Sequence, residues 1–336
     1  MNKYKVTQIV CWLVVFVVFL GLAIWFLLGN NFRFHHVVGT EVLSGPYEEE
    51  GRYQIEVAKV DSIDINWTAG RVTVIPYDGK EILMVEYAQR SLDEDEKLIY
   101  SKSGNTLNVS YSDKKGSWSD PLPSKKLEVM LPEGLASDLS DVTLDSVSAI
   151  VDVKSLKAGY LHIKTVSGEG YLADLSAATG DITSTSGTLE LNNILIPKLT
   201  LKTVSGEIKG EGLETEDVSA HSTSGSVMFS DVVTKKLDFD TVSGEISFQG
   251  SYEELLANST SGTIGVTDRI IPTNFNIKTV SGEVNLTMPS FEGFHLYKKT
   301  VSGSFDCEIP VTTQNESNAP YIIKTTSGGI NIRKLS

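Results

Sequence analysis

A short motif that returns at an almost fixed spacing constrains this chain more than any other feature. The sequence Thr-Val-Ser-Gly-Glu occurs four times, and a looser Ser-Thr-Ser-Gly lies between successive copies. Measured between the glycines of these motifs, the first six intervals are 19, 19, 19, 19, 18 and 20 residues. This period predicts one small structural unit stacked on copies of itself, which is a solenoid. The reference glycines are Gly168, Gly187, Gly206, Gly225, Gly244, Gly262, Gly282, Gly303 and Gly328.

Apolar residues alternate with polar ones on both sides of each glycine. In the unit around Gly206, Leu199 and Leu201 occupy alternate positions before the glycine, and Ile208 follows it. A period of two indicates half-buried strands, and no unit carries the 3.6-residue stripe of a helix. Each unit is therefore predicted to be one coil with two short strands and two turns. The alternation shifts by one residue at Ser-Gly, which predicts a bend there.

The residue after the glycine tests the length of a coil. It is Glu at positions 169, 207, 245 and 283, and Thr or Ser in the units between them. With 19 residues per coil these carboxylates lie about 9.6 Å apart, whereas 38 residues per coil would stack them at about 4.8 Å and roughly double their repulsion. This favours 19 residues per coil and leaves 38 as the alternative. Carboxylates about 9.6 Å apart cannot share one Ca²⁺, whose oxygen ligands lie about 2.3–2.6 Å away.

Hydroxyl side chains recur beside the glycine. The third residue before it is always Thr or Ser, and the residue directly before it is Ser in all nine units. We expect both sets to point inward and to hydrogen-bond from coil to coil. A nucleophilic serine is disfavoured because the chain has five histidines and, of these, only His221 lies within four residues of a reference glycine. The sequence thus predicts no catalytic, cofactor-binding or metal-ligating residues.

The amino-terminal segment predicts a membrane anchor. Residues 9–28 form an uncharged apolar run that is long enough for a helix of about 30 Å, which spans one bilayer. Lys3 and Lys5 precede this run, which favours a cytoplasmic amino terminus and an extracytoplasmic remainder, as a single-pass protein of the cell membrane. A cleaved signal peptide is the alternative, weakened by the length of the run and by the lack of a small-x-small site between it and Gly39.

The net charge and the two cysteines limit which partners and which disulfides this chain can have. The formal net charge of −14 repels nucleic acid, so we expect no nucleic-acid partner. We expect contact with the membrane through the amino-terminal helix. Cys307 is the lone cysteine outside the apolar run, which excludes a disulfide within that part of the chain. It falls on an inward position, so we expect a small buried core residue.

These features predict the organisation of the whole chain. We expect a cytoplasmic tail over residues 1–8, a transmembrane helix over 9–28, a linker over 29–57, an amino-terminal β cap or first coils over 58–140, and solenoid repeats with a carboxyl-terminal cap over 141–336. The fold class is all-β, a single-stranded β-solenoid (β-helix) of about ten coils that is preceded by one transmembrane helix. Ten coils would stack to about 45 Å.

The sequence resembles a bacterial domain family of unknown function named as a "putative adhesin" with β-strand repeats. The resemblance covers about residues 58–336 and rests on residues 65–74 (INWTAGRVTV), 131–134 (LPEG), 324–332 (KTTSGGINI) and the repeats themselves. It implies a β-solenoid behind a membrane anchor or an export signal. It brings no catalytic residues with it.

Two functional classes follow. The favoured one is a non-catalytic, membrane-anchored extracytoplasmic protein that acts as an adhesin, scaffold or regulatory binding module of the cell envelope, with an envelope protein or a surface glycan as partner. The alternative is a polysaccharide lyase or hydrolase, because parallel β-helices host such enzymes. Those reactions need paired carboxylates or an Arg or Lys base. After residue 140 the arginines are Arg269 and Arg333, and the glutamates recur identically rather than at one unique place.

Overall fold

The computed structural model describes residues 46–114, 116, 122–292 and 294–335. The predicted tail, the transmembrane helix over 9–28 and the first part of the linker lie outside these residues. Within them, no helix is long and apolar enough to cross a membrane. In this described part, one helical turn, Glu133–Ala136, accompanies the strands. The strands are β1 (Glu48–Glu56), β2 (Ser62–Tyr77), β3 (Glu81–Ala88), β4 (Ile99–Ser103), β5 (Thr106–Ser110), β6 (Lys125–Pro132), β7 (Leu139–Lys154), β8 (Lys157–Thr165), β9 (Gly170–Ser184), β10 (Leu189–Leu195), β11 (Lys198–Thr203), β12 (Ile208–Glu214), β13 (Asp217–Ser222), β14 (Val227–Val233), β15 (Lys236–Thr241), β16 (Ile246–Ser251), β17 (Glu254–Ser259), β18 (Ile264–Asp268), β19 (Asn274–Thr279), β20 (Val284–Met288), β21 (Phe294–Lys299), β22 (Phe305–Cys307), β23 (Val311–Thr313), β24 (Tyr321–Thr325) and β25 (Ile330–Lys334).

The strands of the repeats form a parallel, solenoid-like stack. Leu189 pairs with Ile208, and Ile208 pairs with Val227, so each strand lies beside its counterpart 19 residues away. The 19-residue coil is therefore confirmed and the 38-residue coil is excluded. We call the stack β10-β12-β14-β16-β18-β20 the post-glycine ladder, and the stack β11-β13-β15-β17-β19 the pre-glycine ladder.

The core lies between the two ladders. Leu199 and Leu201 of the pre-glycine ladder and Ile208 and Leu213 of the post-glycine ladder are all buried, at 1 % exposure or less. The alternation shifts a second time six residues after Ala149, Gly168, Gly187, Gly206 and Gly225, where the chain takes a left-handed conformation with φ of 53–65°. Gly, Asn and Asp tolerate this conformation best. The residues there are Ser155, Asp174, Asn193, Gly212 and Asp231.

The predicted bend at Ser-Gly occupies the two residues before the glycine. Val204 and Ser205 are both exposed, whereas Gly206 is buried. A β-carbon on Gly206 would lie 2.1 Å from the carbonyl oxygen of Gly187 in the preceding coil. Glycine is therefore required because successive coils touch through their backbones at this point.

The hydroxyl groups beside the glycine differ from the prediction. Thr203 is buried, but its Oγ1 accepts a hydrogen bond from the N–H of Gly206 in its own turn, at 2.9 Å. Ser205 points outward, because the bend reverses its side, and its Oγ donates to the carbonyl oxygen of Thr185 in the preceding coil at 3.4 Å. The prediction that both hydroxyls stack inside is therefore wrong. The Thr203 hydroxyl stabilises its own turn, and the Ser205 hydroxyl links neighbouring coils on the outer surface.

The amino-terminal end departs from chain order. β2 lies between β7 on one side and β5 with β6 on the other, so the outermost coil is formed by residues that follow β2 in the chain. Antiparallel strands continue beyond this coil, with β4 on β5, β3 on β6 and β1 on β3. β1 corrects the predicted linker over 29–57. The sequence of β1 is rich in Glu and lacks the apolar alternation that indicates a strand, because Ile55 is its one buried side chain.

The carboxyl-terminal end shows the same arrangement. β24 pairs with both β19 and β21, and β25 pairs with both β20 and β22. The last coil in sequence is thus inserted between the two coils that precede it. Cys307 belongs to the outermost coil and is only partly buried, which corrects the expectation of a core thiol. Its Sγ lies 3.2 Å from the carbonyl oxygen of Ile309, and burial raises the pKa of this thiol.

Candidate functional site

An open groove of about 410 Å³ crosses the outer surface of the post-glycine ladder. It spans β10, β12, β14 and β16, and the parallel register sets its rows. Residues three positions after each glycine form one row, and residues five positions after it form the next. The first row is Glu190, Lys209, Met228 and Ser247, and the second is Asn192, Glu211, Ser230 and Gln249.

The groove presents polar groups at regular intervals. Lys209 Nζ lies 2.7 Å from Glu207 Oε2, and this hydrogen bond raises the pKa of Lys209. Glu211, Asn192 and the other members of the second row are exposed, while Met228 adds a half-buried thioether. Sites for small apolar ligands enclose most of the ligand surface. An open groove of carboxylates, amides and hydroxyls instead suits an extended polar molecule.

A second arrangement lies on the outer face of the pre-glycine ladder, and the sequence reasoning missed it. Ser219 Oγ is 2.8 Å from His221 Nε2, and His221 Nδ1 is 3.3 Å from Asp240 Oδ2. Asn258 Nδ2 donates to Asp240 Oδ1 at 2.8 Å and extends the chain to a third coil. The signal was present in the sequence: His221 and Asp240 are one 19-residue period apart, and Ser219 lies two residues before His221 on the same face.

This arrangement has the order of a nucleophile, a base and an orienting carboxylate. An acyl-transfer site also needs hydrogen-bond donors for the oxyanion and protection from water, and β13 provides neither. β13 pairs on both sides over Asp217–Ser222, so its N–H groups serve the ladder instead of an oxyanion. The side chains of His221 and Asp240 are 38 % and 45 % exposed, so water surrounds them. That the chain has no catalytic residues stays a prediction.

Three of the recurring glutamates pair with different neighbours. Glu169 accepts a hydrogen bond from Tyr171 Oη at 2.8 Å, Glu207 pairs with Lys209, and Glu283 accepts from Asn331 Nδ2 at 2.7 Å. In the described part of the chain, no three His, Cys, Asp or Glu side chains are grouped so that they could hold a metal ion.

A buried polar cluster lies at the amino-terminal end. Lys125 and Glu86 are both fully buried, with Nζ 2.7 Å from Oε1. Lys125 Nζ also donates to the backbone oxygen of Glu96 at 2.6 Å, and burial lowers the pKa of Lys125. The Glu96 carboxylate accepts from Arg90 and Lys114, and the hydrogen bond from Arg90 contributes most to lowering the pKa of Glu96 to about 2. Because its charges are paired in this way, we interpret the cluster as structural: it holds the loop that contains Glu96 in place.

Comparison with known proteins supports the fold. The profile of the family described as Toastrack DUF4097 matches residues 60–216 and residues 192–333. The solved structure of a "putative lipid binding protein" from Parabacteroides distasonis is similar, with a TM-score of 0.50 and 18 % identity over 87 % of this chain and 98 % of that chain. A "putative adhesin" from the same species aligns with a TM-score of 0.45 and 12 % identity over 86 % and 98 % of the two chains. A "putative adhesin" from Bacteroides fragilis gives 0.36 and 12 % over 87 % and 98 %. The comparison with curated proteins gave no significant match.

Proposed function

We propose that this chain, which belongs to the Toastrack DUF4097 family, is a non-catalytic binding module of the cell envelope that acts as an adhesin or scaffold. The groove on the post-glycine ladder carries the proposal. Its rows repeat at the spacing of the strands, about 4.8 Å, and the strands beneath it are paired on both sides. Solenoids use such extended, regular surfaces to hold extended partners.

A surface glycan is the partner that the groove fits best. Carboxylate, amide and hydroxyl side chains match sugar hydroxyls as hydrogen-bond donors and acceptors, and Met228 offers an apolar contact to a sugar ring. A stable protein interface buries about 800 Å² on each partner around an apolar centre, which the two polar rows do not supply. The net charge of −14 disfavours nucleic acid.

The location rests on the amino-terminal sequence. The apolar run over residues 9–28 follows Lys3 and Lys5, so we propose that it anchors the protein with residues 31–336 outside the membrane. Protease added to intact, wall-stripped cells should digest the domain. Full protection, or recovery of a soluble protein that lacks residues 1–30, would contradict this topology.

Binding is tested with the purified full-length protein on an array of envelope glycans. Replacing Glu211 by Gln or Lys209 by Met should weaken binding of the selected glycan at least fivefold. Lys198→Met is the matched control, because Lys198 is exposed in the same coil but lies on the pre-glycine ladder. If no glycan binds, or if the control loses as much affinity as Lys209→Met, the groove is not the site.

Ser219, His221 and Asp240 favour a hydrolase as the second candidate, because their atoms form the chain of hydrogen bonds that activates a serine. We rank it lower because the exposed strand surface offers no oxyanion donors from β13 and does not exclude water.

A further inference from the structure

Three lysines form a row across the three coils at the carboxyl-terminal end. Lys278 pairs in register with Lys324, and Lys324 pairs with Lys299, so the inserted coil places its lysine between the other two. Neighbouring strands lie about 4.8 Å apart, and like charges opposite each other destabilise a sheet. The row is thus a local concentration of positive charge in a chain whose net charge is −14.

One carboxylate reaches this row from the loop that connects β23 to β24. Glu316 Oε1 forms an ion pair with Lys324 Nζ. The pKa of Glu316 is lowered, first by this hydrogen bond and also by the charges of Lys324, Lys299 and Lys278. The fields of all three lysines therefore act on the place where the carboxylate lies. A single carboxylate leaves most of the positive charge of the row uncompensated, and Lys278 and Lys299 are exposed.

We infer that this lysine row is a binding site for a phosphate group and that Glu316 occupies it until phosphate displaces it. A phosphate monoester carries about −1.5 to −2 charges and three acceptor oxygens at neutral pH, whereas a carboxylate carries one charge and two oxygens. Three ammonium groups match the phosphate in charge and in donors. The phosphate belongs either to an envelope polymer or to a lipid headgroup, and the exposed Val280 and Val301 beside the row would contact the lipid in the second case.

This site is independent of the glycan groove. The row lies on the pre-glycine side of the last coils, while the groove lies on the post-glycine ladder between residues 190 and 249. Failure of either proposal therefore leaves the other standing, and each has its own variants.

The test measures the affinity of the full-length protein, held in a neutral detergent, for inorganic tripolyphosphate by isothermal titration calorimetry. We expect binding that weakens as salt rises from 50 to 500 mM, because salt screens exposed charges. Replacing Lys278, Lys299 and Lys324 together by Ala should weaken it at least tenfold. This variant removes like-charge repulsion, so it should fold, and its melting temperature checks that it does. The matched control, Lys236→Ala, lies on an exposed position of β15 and should change nothing.

Glu316→Gln separates a ligand site from a structural ion pair. Removal of the internal competitor should tighten tripolyphosphate binding about three- to fivefold, the range expected from an exposed ion pair. Vesicles of neutral phosphatidylcholine with and without phosphatidic acid, whose headgroup is a phosphate monoester, distinguish the sources. Capture only by the anionic vesicles, lost in the triple variant, assigns a lipid headgroup, whereas binding of tripolyphosphate without capture of vesicles assigns a polymer. No binding to either probe, or binding that neither the triple variant nor Glu316→Gln changes, would overturn the inference.

Discussion

Gly225 lies against Gly206 so closely that a β-carbon on Gly225 would be 1.7 Å from the carbonyl oxygen of Gly206. The same contact recurs along the stack, up to Gly303 against Gly328. The repeating glycine therefore allows the coils to approach this closely, and outer serines such as Ser205 join neighbouring coils.

Gly225→Ala should lower the free energy of unfolding by about 3 kcal/mol or more, because a methyl group there meets backbone that cannot move aside. Gly265→Ala, in β18 of the post-glycine ladder, is the control, since its β-carbon would meet the Ile246 oxygen only at 3.8 Å. Urea unfolding of both variants measures the difference. Equal stability of the two would show that the coils do not touch through their backbones at Gly225.

Thr203→Val should lower the free energy of unfolding by about 1–3 kcal/mol, because it leaves the buried N–H of Gly206 without its acceptor. Ser205→Ala should cost less than about 0.5 kcal/mol, as most surface substitutions do. Thermal melts of the two variants provide the comparison. A larger loss for Ser205→Ala would favour the outer hydroxyls as the main fastening.

Asp268 should make stability fall with rising pH. It is fully buried, and its burial raises the pKa to about 7, whereas an unfolded Asp titrates at about 3.9. Between about pH 4 and 7 the folded state keeps a proton that the unfolded state has released, so the free energy of unfolding falls by up to about 1.4 kcal/mol per pH unit.

Asp268→Asn isolates this effect, because Asn keeps an oxygen for the N–H of Ile270, now 3.0 Å from Oδ1, and cannot ionise. Its stability relative to the parent should rise from pH 4 to 7 and then level off, as measured by urea unfolding at several pH values. A difference that stays constant with pH would show that Asp268 ionises normally in the folded chain.

Ser219 should not act as a nucleophile. A fluorophosphonate probe is expected to label the parent and Ser219→Ala to the same low extent, and p-nitrophenyl acetate should be hydrolysed at equal rates by both. The expectation follows from the N–H groups of β13, which are committed to the ladder. Labelling that Ser219→Ala and His221→Ala both abolish would instead establish a hydrolase.

The strands and the coil length follow from the sequence, but two features of the coil do not. Apolar alternation around Gly206 locates β11 and β12, and the spacing of the glutamates favours 19 residues per coil. The left-handed position six residues after the glycine escapes notice because Asp174, Asn193 and Gly212 share a conformational tolerance and no side-chain pattern.

The candidate sites are harder to predict because they join residues from different coils. Ser219 and Asp240 lie close only once the 19-residue register is known, and the groove rows exist only across four coils. The order of the terminal coils is not encoded in the repeat at all. The longer intervals before Gly303 and Gly328 show that the repeat becomes irregular there. They do not show that Lys324 lies between Lys278 and Lys299.

Cysteine pairs should verify the inserted coil. Asn276→Cys with Ile322→Cys places two thiols at paired positions of adjacent strands, where the spacing of about 4.8 Å lies within disulfide range. Asn276→Cys with Tyr297→Cys is the control, because β24 separates these two strands. Mild oxidation should cross-link the first pair and not the second, as read from mobility on non-reducing gels. The opposite result would restore simple chain order.

The inserted coil also determines when this protein can finish folding. During synthesis, residues 294–307 leave the ribosome before residues 321–334, which must later lie between them and β19 with β20. The growing chain therefore cannot add these coils in chain order, and the ladder bonds of β24 and β25 form only after translation has passed residue 334. Once in place, β24 and β25 have a neighbouring strand on both sides, so they cannot separate from the stack as an outermost strand could.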